Sequence, residues 1–170
     1  RVPPLFFAGV VVVAFGASSP VSGDPVTDSI RKQIEMLSSG RDVIVAGEAI
    51  SSRKLLPEFY KQREFRPAWT DRNTIDALLA SIRGIDADGL RPTDYHLEAL
   101  DRAIPSSSTP EAKADLDLLQ TDALIRLGHH LAIGKVDAES LDPNWNISRT
   151  IQKQTAVEWL SSAVASDDLS

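Results

Sequence analysis

Hydrophobic residues recur along most of this chain at spacings of three and four, the spacing of helices. Ile30, Ile34 and Leu37 share one face of a short helix over 29–37, with Asp28 as its cap and Ser38-Ser39-Gly40 as its stop. Asp42 to Gly47 reads as a short strand or an extended arm. Leu56, Phe59, Tyr60 and Arg63 fall on one face of the next helix, and Pro57 suits its first turn, where a missing N–H costs nothing. Arg66-Pro67 breaks that helix, because the residue before a proline is pushed out of the α region. Ile75, Leu78, Leu79 and Ile82 form the apolar stripe of a third helix, which begins around Asp71 and ends at Gly84. Asp86-Ala87-Asp88-Gly89 has turn chemistry. Pro92-Thr93-Asp94 opens a short helix with Tyr95, Leu97 and Leu100 inward, and 105–109 is a loop.

The clearest element follows. Thr109 is a natural N-cap, Pro110 stands at the first helical position, and Glu111 suits the positive end of the helix dipole. A stripe of Leu116, Leu119, Ala123, Leu124 or Ile125, Leu127 and Leu131 carries this helix to about Ile133, where Gly134 and Lys135 close it. Asp137 to Leu141 predicts one more turn, Trp145 a packing anchor, and 150–165 a last helix with Ile151, Ala156 or Val157, Leu160 and Val164 inward. No repeat of solenoid period stands out. The pattern predicts a mostly α fold: a small helical domain with short extended segments.

The N-terminus breaks the pattern. Leu5 to Phe15 is an uncharged apolar run, preceded by Arg1 and followed by small residues from Gly16 to Gly23. Charged flank, apolar core and small-residue exit are the order of a secretory signal, with cleavage near Ala17, Ser19 or Gly23. A buried β-strand is the competing reading of a Val-rich run. The run is too short to span a bilayer comfortably, so no stable membrane span is expected. The chain then divides into a signal peptide at 1–23, a linker and short helix at 24–48, a helical domain at 49–148, and the start of a further helical segment at 149–170.

Composition narrows the chemistry. The net charge is -6, and no basic stripe offsets it, which argues against a nucleic-acid partner. The chain has no cysteine, which excludes disulfides, thiolate zinc sites and a cysteine nucleophile. His129 and His130 are adjacent, so on a helix they point about 100° apart and not along one face as metal pairs do. With His96 as the third and last histidine, no metal site and no cofactor are expected. In Asp86-Ala87-Asp88-Gly89 the register of a calcium loop would require glutamate where Tyr95 stands, so a capped turn is the better reading. A G-x-S-x-G elbow is absent. The densest aromatic-basic cluster is Phe59, Tyr60, Arg63, Phe65, Arg66 and Trp69. Tyr60, Arg63, Arg66 and Trp69 are its candidate binding residues, for a glycan or an acidic peptide. The competing reading is core, and it is favoured because aromatic rings dominate burial in small domains.

Three segments carry a family likeness. The stretch from Leu56 to Trp69 (LPEFYKQREFRPAW) resembles the opening of the scaffold domain of large Gram-negative L,D-transpeptidases, whose catalytic domain is of the YkuD type. Asp88-Gly89-Leu90-Arg91-Pro92-Thr93-Asp94-Tyr95-His96 is similar to that family's turn after its first long helix, and Asp117 to Leu124 with Gly134-Lys135-Val136-Asp137 supplies a third likeness. Together they span roughly 50–145. The resemblance implies a periplasmic, helical scaffold domain, exported by its signal peptide. Its partners would be the parent's own catalytic and peptidoglycan-binding domains, and peptidoglycan itself. The parent enzyme would be a transferase that forms 3→3 cross-links through a cysteine thioester. Here the chain departs from the family's enzyme: with no cysteine and no S-H-G-x-C-type motif, no catalytic residue is carried over and the chain alone is expected to be inactive. The other functional reading is a free-standing periplasmic peptidoglycan-binding or adaptor protein that uses the aromatic-basic cluster.

Overall fold

The computed structural model describes residues 23–135 and 153–166, and those residues are mostly helical. The run Leu5–Phe15, the turn expected over 137–141, Trp145 and Ile151 lie outside the described residues. Helix α1 (Pro25–Ser38) starts at Pro25, earlier than the expected Ser29. Asp24, not Asp28, is its cap: the carboxylate accepts from the N–H groups of Val26 and Thr27, and Pro25 takes the first position. Ile30, Ile34 and Leu37 are its buried face, as the spacing predicts.

The segment after α1 is a minimal hairpin, β1 (Ile44–Val45) against β2 (Glu48–Ala49), antiparallel with Ile44 opposite Ala49 and Val45 opposite Glu48. Its two-residue turn needs positive φ twice, at Ala46 (50°) and Gly47 (85°), and glycine meets that demand without strain. Val43, Val45 and Ile50 point inward and Ile44 outward.

Helix α2 (Leu55–Gln62) buries Leu56, Phe59 and Tyr60. It stops well before Pro67, because Glu64 and Phe65 turn left-handed at φ 56° and 62°. Each such turn costs a non-glycine residue about 1–2 kcal/mol. The Phe65 N–H bond to the Tyr60 carbonyl (2.8 Å) and the Arg31 guanidinium 4.5 Å over the Phe65 ring offset that cost. Helix α3 (Arg72–Gly84) is capped by Asp71, which accepts from the Asn73 N–H, and buries Thr74, Leu78, Leu79 and Ile82. Two 3-10 turns, Ile85–Asp88 and Pro92–Tyr95, lead to α4 (Leu97–Ala103). The single helix expected from Pro92 is therefore split at His96, whose φ is 59°. A third 3-10 turn, Ile104–Ser106, precedes α5 (Pro110–Ala132), which Thr109 caps through the Ala112 N–H. Helix α6 (Lys153–Ala165) buries Val157, Leu160 and Val164.

Helix α5 is the axis of the fold. The hairpin, α1, α2, α3 and α4 all pack on it, and α6 packs on α2. A helix surrounded in this way has no solvent stripe along its middle. Leu116 to Leu124 are buried without a break, and Asp117, Gln120, Thr121 and Asp122 are among them. The one-sided apolar stripe expected for α5 is thus corrected: the helix is enclosed, and Leu131, expected inside, is 51% exposed. Gly128 explains how α6 docks. A Cβ there would run into the ring of Trp159, so only glycine lets the indole lie against α5. Among the described residues no helix is long and apolar enough to cross a membrane.

Candidate functional site

Placing carboxylates on an enclosed helix creates buried charge, and buried charge persists only where donors surround it. Helix α5 solves this twice. At Asp117 the donors come from α2 and the extended segment that follows it. Asp117 Oδ1 accepts from the Tyr60 hydroxyl at 2.6 Å, and its two oxygens accept from the Ala68 and Trp69 N–H groups at 3.0 Å. One turn later on the same face, the Thr121 hydroxyl donates to the Asp117 carbonyl (2.8 Å) and receives the Trp69 indole N–H (2.9 Å). Burial pushes the Asp117 carboxyl above its usual range despite the bonds from Tyr60, Ala68 and Trp69. Burial, then the Asp117 charge, pushes the Tyr60 phenol well up as well. This cluster is sealed from water and acts as a clamp that holds residues 63–71 to α5.

The four candidate binding residues divide accordingly. Tyr60 and Trp69 lie in the interior and present no ring face to a ligand. Arg63 is half-buried, donating to the Pro67 carbonyl (3.0 Å) with its guanidinium 5.3 Å from the Phe59 ring centre. Arg66 is exposed and pairs with Glu64. The structure does not assemble them into a surface.

The second cluster is at Asp122 and sits at the edge of a cleft. Asp122 Oδ1 accepts from the N–H groups of Ser52 (2.7 Å) and Ser51 (3.2 Å), and Oδ2 lies 2.8 Å from His96 Nε2. His96 is buried too, and its Nδ1 is 3.2 Å from Glu48 Oε2. A carboxylate only accepts, so Nε2 carries the proton toward Asp122. Arg126 Nη1, 3.2 Å from the same nitrogen, is then in contact with it without a second hydrogen bond. Burial pushes the Asp122 carboxyl up, but the bonds from His96 and Ser52 outweigh it and hold the group below the usual carboxylate range. The left-handed turn at His96 is what points this ring back at α5.

Beside this cluster lies a cleft of about 550 Å³, lined by Ser51 to Leu55 at the start of α2 and by Ile125, Arg126, His129 and His130 of α5. No acidic residue lines it. The two adjacent histidines do not converge: His129 is exposed, while His130 Nδ1 is hydrogen-bonded to the Tyr95 hydroxyl at 2.9 Å. Burial, then the charges of His129 and Arg126, hold His130 below its usual range. Among the described residues no group of His, Cys, Asp or Glu is arranged to hold a metal ion. A second cleft of about 460 Å³ between α1 and β1 has mixed charge, with Lys32, Asp42 and Glu111 in its lining.

The sequence reading weighed His96 only as a metal ligand and passed over Asp117, Asp122, Glu48, Ser51, Ser52, Lys54 and Arg126 as functional candidates. One signal was present. In Leu116-Asp117-Leu118-Leu119-Gln120-Thr121-Asp122-Ala123-Leu124 polar residues interrupt an apolar helix, with Asp117 and Thr121 one turn apart on one face. Polar positions inside an otherwise buried run indicate partners from elsewhere in the chain, but not which ones.

No curated protein and no solved structure matches the chain. The family model of the Scaffold domain matches residues 54–170, well over half of the chain and including α2 to α6. The chain belongs to the Scaffold domain family.

Proposed function

We propose that this chain is the non-catalytic scaffold region of a periplasmic L,D-transpeptidase that takes part in peptidoglycan cross-linking and cell-wall biogenesis. The observation that carries the reading is the family match, because it contains most of the residues that gave the likeness. Those residues also depend on one another physically. Tyr60 and Trp69 of the first segment close on Asp117 and Thr121 of the third, and Tyr95 and His96 of the second meet His130 and Asp122 on the same helix. Three stretches with one shared core would be inherited together, which supports reading them as a single family signature. In this role the chain contributes rigidity: an enclosed central helix with clamped loops is suited to holding other domains in place. Catalysis would come from a cysteine on another domain, since this chain has none.

The test is the reading frame beyond Ser170. The expected result is a domain with an S-H-G-x-C-type motif. A stop codon immediately after Ser170, with no cysteine-containing domain, sinks the proposal and leaves the free-standing periplasmic adaptor as the better reading. Within a full-length enzyme, Asp117→Ala would be expected to lower cross-linking in proportion to the loss of folded protein and leave the activity per folded molecule unchanged.

A further inference from the structure

The cleft between the start of α2 and the last turns of α5 has a one-sided composition. Lys54, Arg126, His129 and His130 line it together with the apolar side chains of Leu55 and Ile125. Arg53 is held by an ion pair to Asp42. Among the described residues no carboxylate forms an ion pair with Lys54, Arg126 or His129. The nearest buried carboxylate, Asp122, is already saturated by Ser51, Ser52 and His96. The cleft therefore sets Lys54 and Arg126 in one lining without an acidic residue, in a chain whose net charge is -6.

Local structure makes this arrangement costly. Lys54 occupies the N-cap position of α2, and no side chain caps that helix end. Serine, threonine, aspartate or asparagine is preferred there, and a cation adds to the positive end of the helix dipole. Residues that oppose local stability tend to be kept for sites that act. An anion in the cleft would be attracted by both Lys54 and Arg126.

The cleft is also more than an ion site. Its volume falls within the range of clefts that hold small ligands, and Leu55 and Ile125 offer contact to an apolar body. We propose that this cleft binds the free carboxylate end of a short peptide, with the carboxylate against Lys54 and Arg126 and the adjoining apolar residues on Leu55 and Ile125. The inference rests on the cleft alone, so a downstream frame without a catalytic domain leaves it standing.

The experiment is an NMR titration of the full chain with an N-acetylated alanine tripeptide as the free acid, its C-terminal amide, and inorganic phosphate. The free acid is expected to shift the amide signals of Lys54, Leu55 and Arg126. The amide should bind about tenfold more weakly or worse, since it loses the charge-assisted bonds. Arg126 touches His96, so its replacement risks the fold; Lys54→Gln and His129→Gln lie at exposed positions and keep the test clean. Lys54→Gln is expected to weaken the free acid about tenfold while the unfolding curve stays where it was or moves up. The proposal is overturned if acid and amide bind equally, if phosphate binds as well as the tripeptide, if Lys54→Gln leaves the affinity unchanged, or if the acid does not bind at millimolar concentration.

Discussion

Asp117 and Asp122 stand on the same helix, both buried, yet their surroundings treat them in opposite ways. Around Asp117 everything is sealed: a phenol and two backbone N–H groups close over the carboxylate, and burial raises its pKa all the same. Around Asp122 the donors include His96 and the turn Ser51-Ser52, and they hold its pKa down against burial. One end of α5 therefore joins loops to a dry core, and the other meets a cation-lined cleft. Hydrogen-bond number alone does not set the direction of a buried carboxylate. The bonds from His96 and Ser52 outweigh burial at Asp122, whereas those from Tyr60, Ala68 and Trp69 do not at the more deeply buried Asp117.

Removing the Asp117 side chain should have the largest effect on this contrast. Asp117→Ala orphans the Ala68 and Trp69 N–H groups at about 1–3 kcal/mol each, while the Tyr60 hydroxyl keeps the Asp117 carbonyl and Thr121, so a loss of about 2–5 kcal/mol is expected in urea unfolding, with a change in tryptophan fluorescence. A loss below about 1 kcal/mol would mean that the clamp is not sealed. Gly128→Ala comes next and tests the open end. The added methyl meets the Trp159 ring, and overpacking of this kind costs about 1–3 kcal/mol. Protease cleavage near α6 should rise if the helix is displaced, and a variant as stable as the parent would show that α6 docks without the Gly128 contact.

Asp122→Asn is the most informative comparison because its cost should depend on pH. The native pKa of Asp122 is lowered, so its ionisation stabilises the fold above the ordinary value of 3.8 and that stabilisation is lost as pH falls through the native value. The variant should be weaker by about 1–2 kcal/mol at neutral pH, and the gap should close below about pH 4. For Asp117 the sign reverses: a raised native pKa means that its contribution declines as pH climbs from 3.8 through the native value. Parallel acid titrations of the two variants followed by circular dichroism check this, and equal pH slopes would erase the distinction between the clusters. The smallest effect is a gain. Lys54→Ser removes a cation from the positive end of the α2 dipole and should raise stability by about 0.3–1 kcal/mol in thermal unfolding, while weakening the cleft for anions. A loss of stability there would show that Lys54 serves the fold.

Helices were legible in the sequence where spacing and capping agreed. Thr109-Pro110 marks the start of α5 and Asp71 that of α3, and both are as expected because a cap and its first turn are local. The start of α1 was misplaced because Asp24 and Asp28 are both plausible caps and only the proline at 25 separates them. The aromatic-basic cluster looked like either a surface or a core from its residue types. Its core reading accords with where Tyr60 and Trp69 lie, and the candidate site moved to residues the spacing did not single out.

The sequence by itself determined the helical class, most helix ends and the absence of cysteine chemistry, because propensity, capping and composition act within a few residues of one another. Only the tertiary structure decided that α5 is enclosed along its middle, that Asp117 and Asp122 find donors 26 to 71 positions away in the chain, and that Lys54 faces the same cleft as His129. The reason is physical: helical periodicity tells which face of an element is apolar, but the charge state and partners of a buried polar group depend on what other elements bring to it.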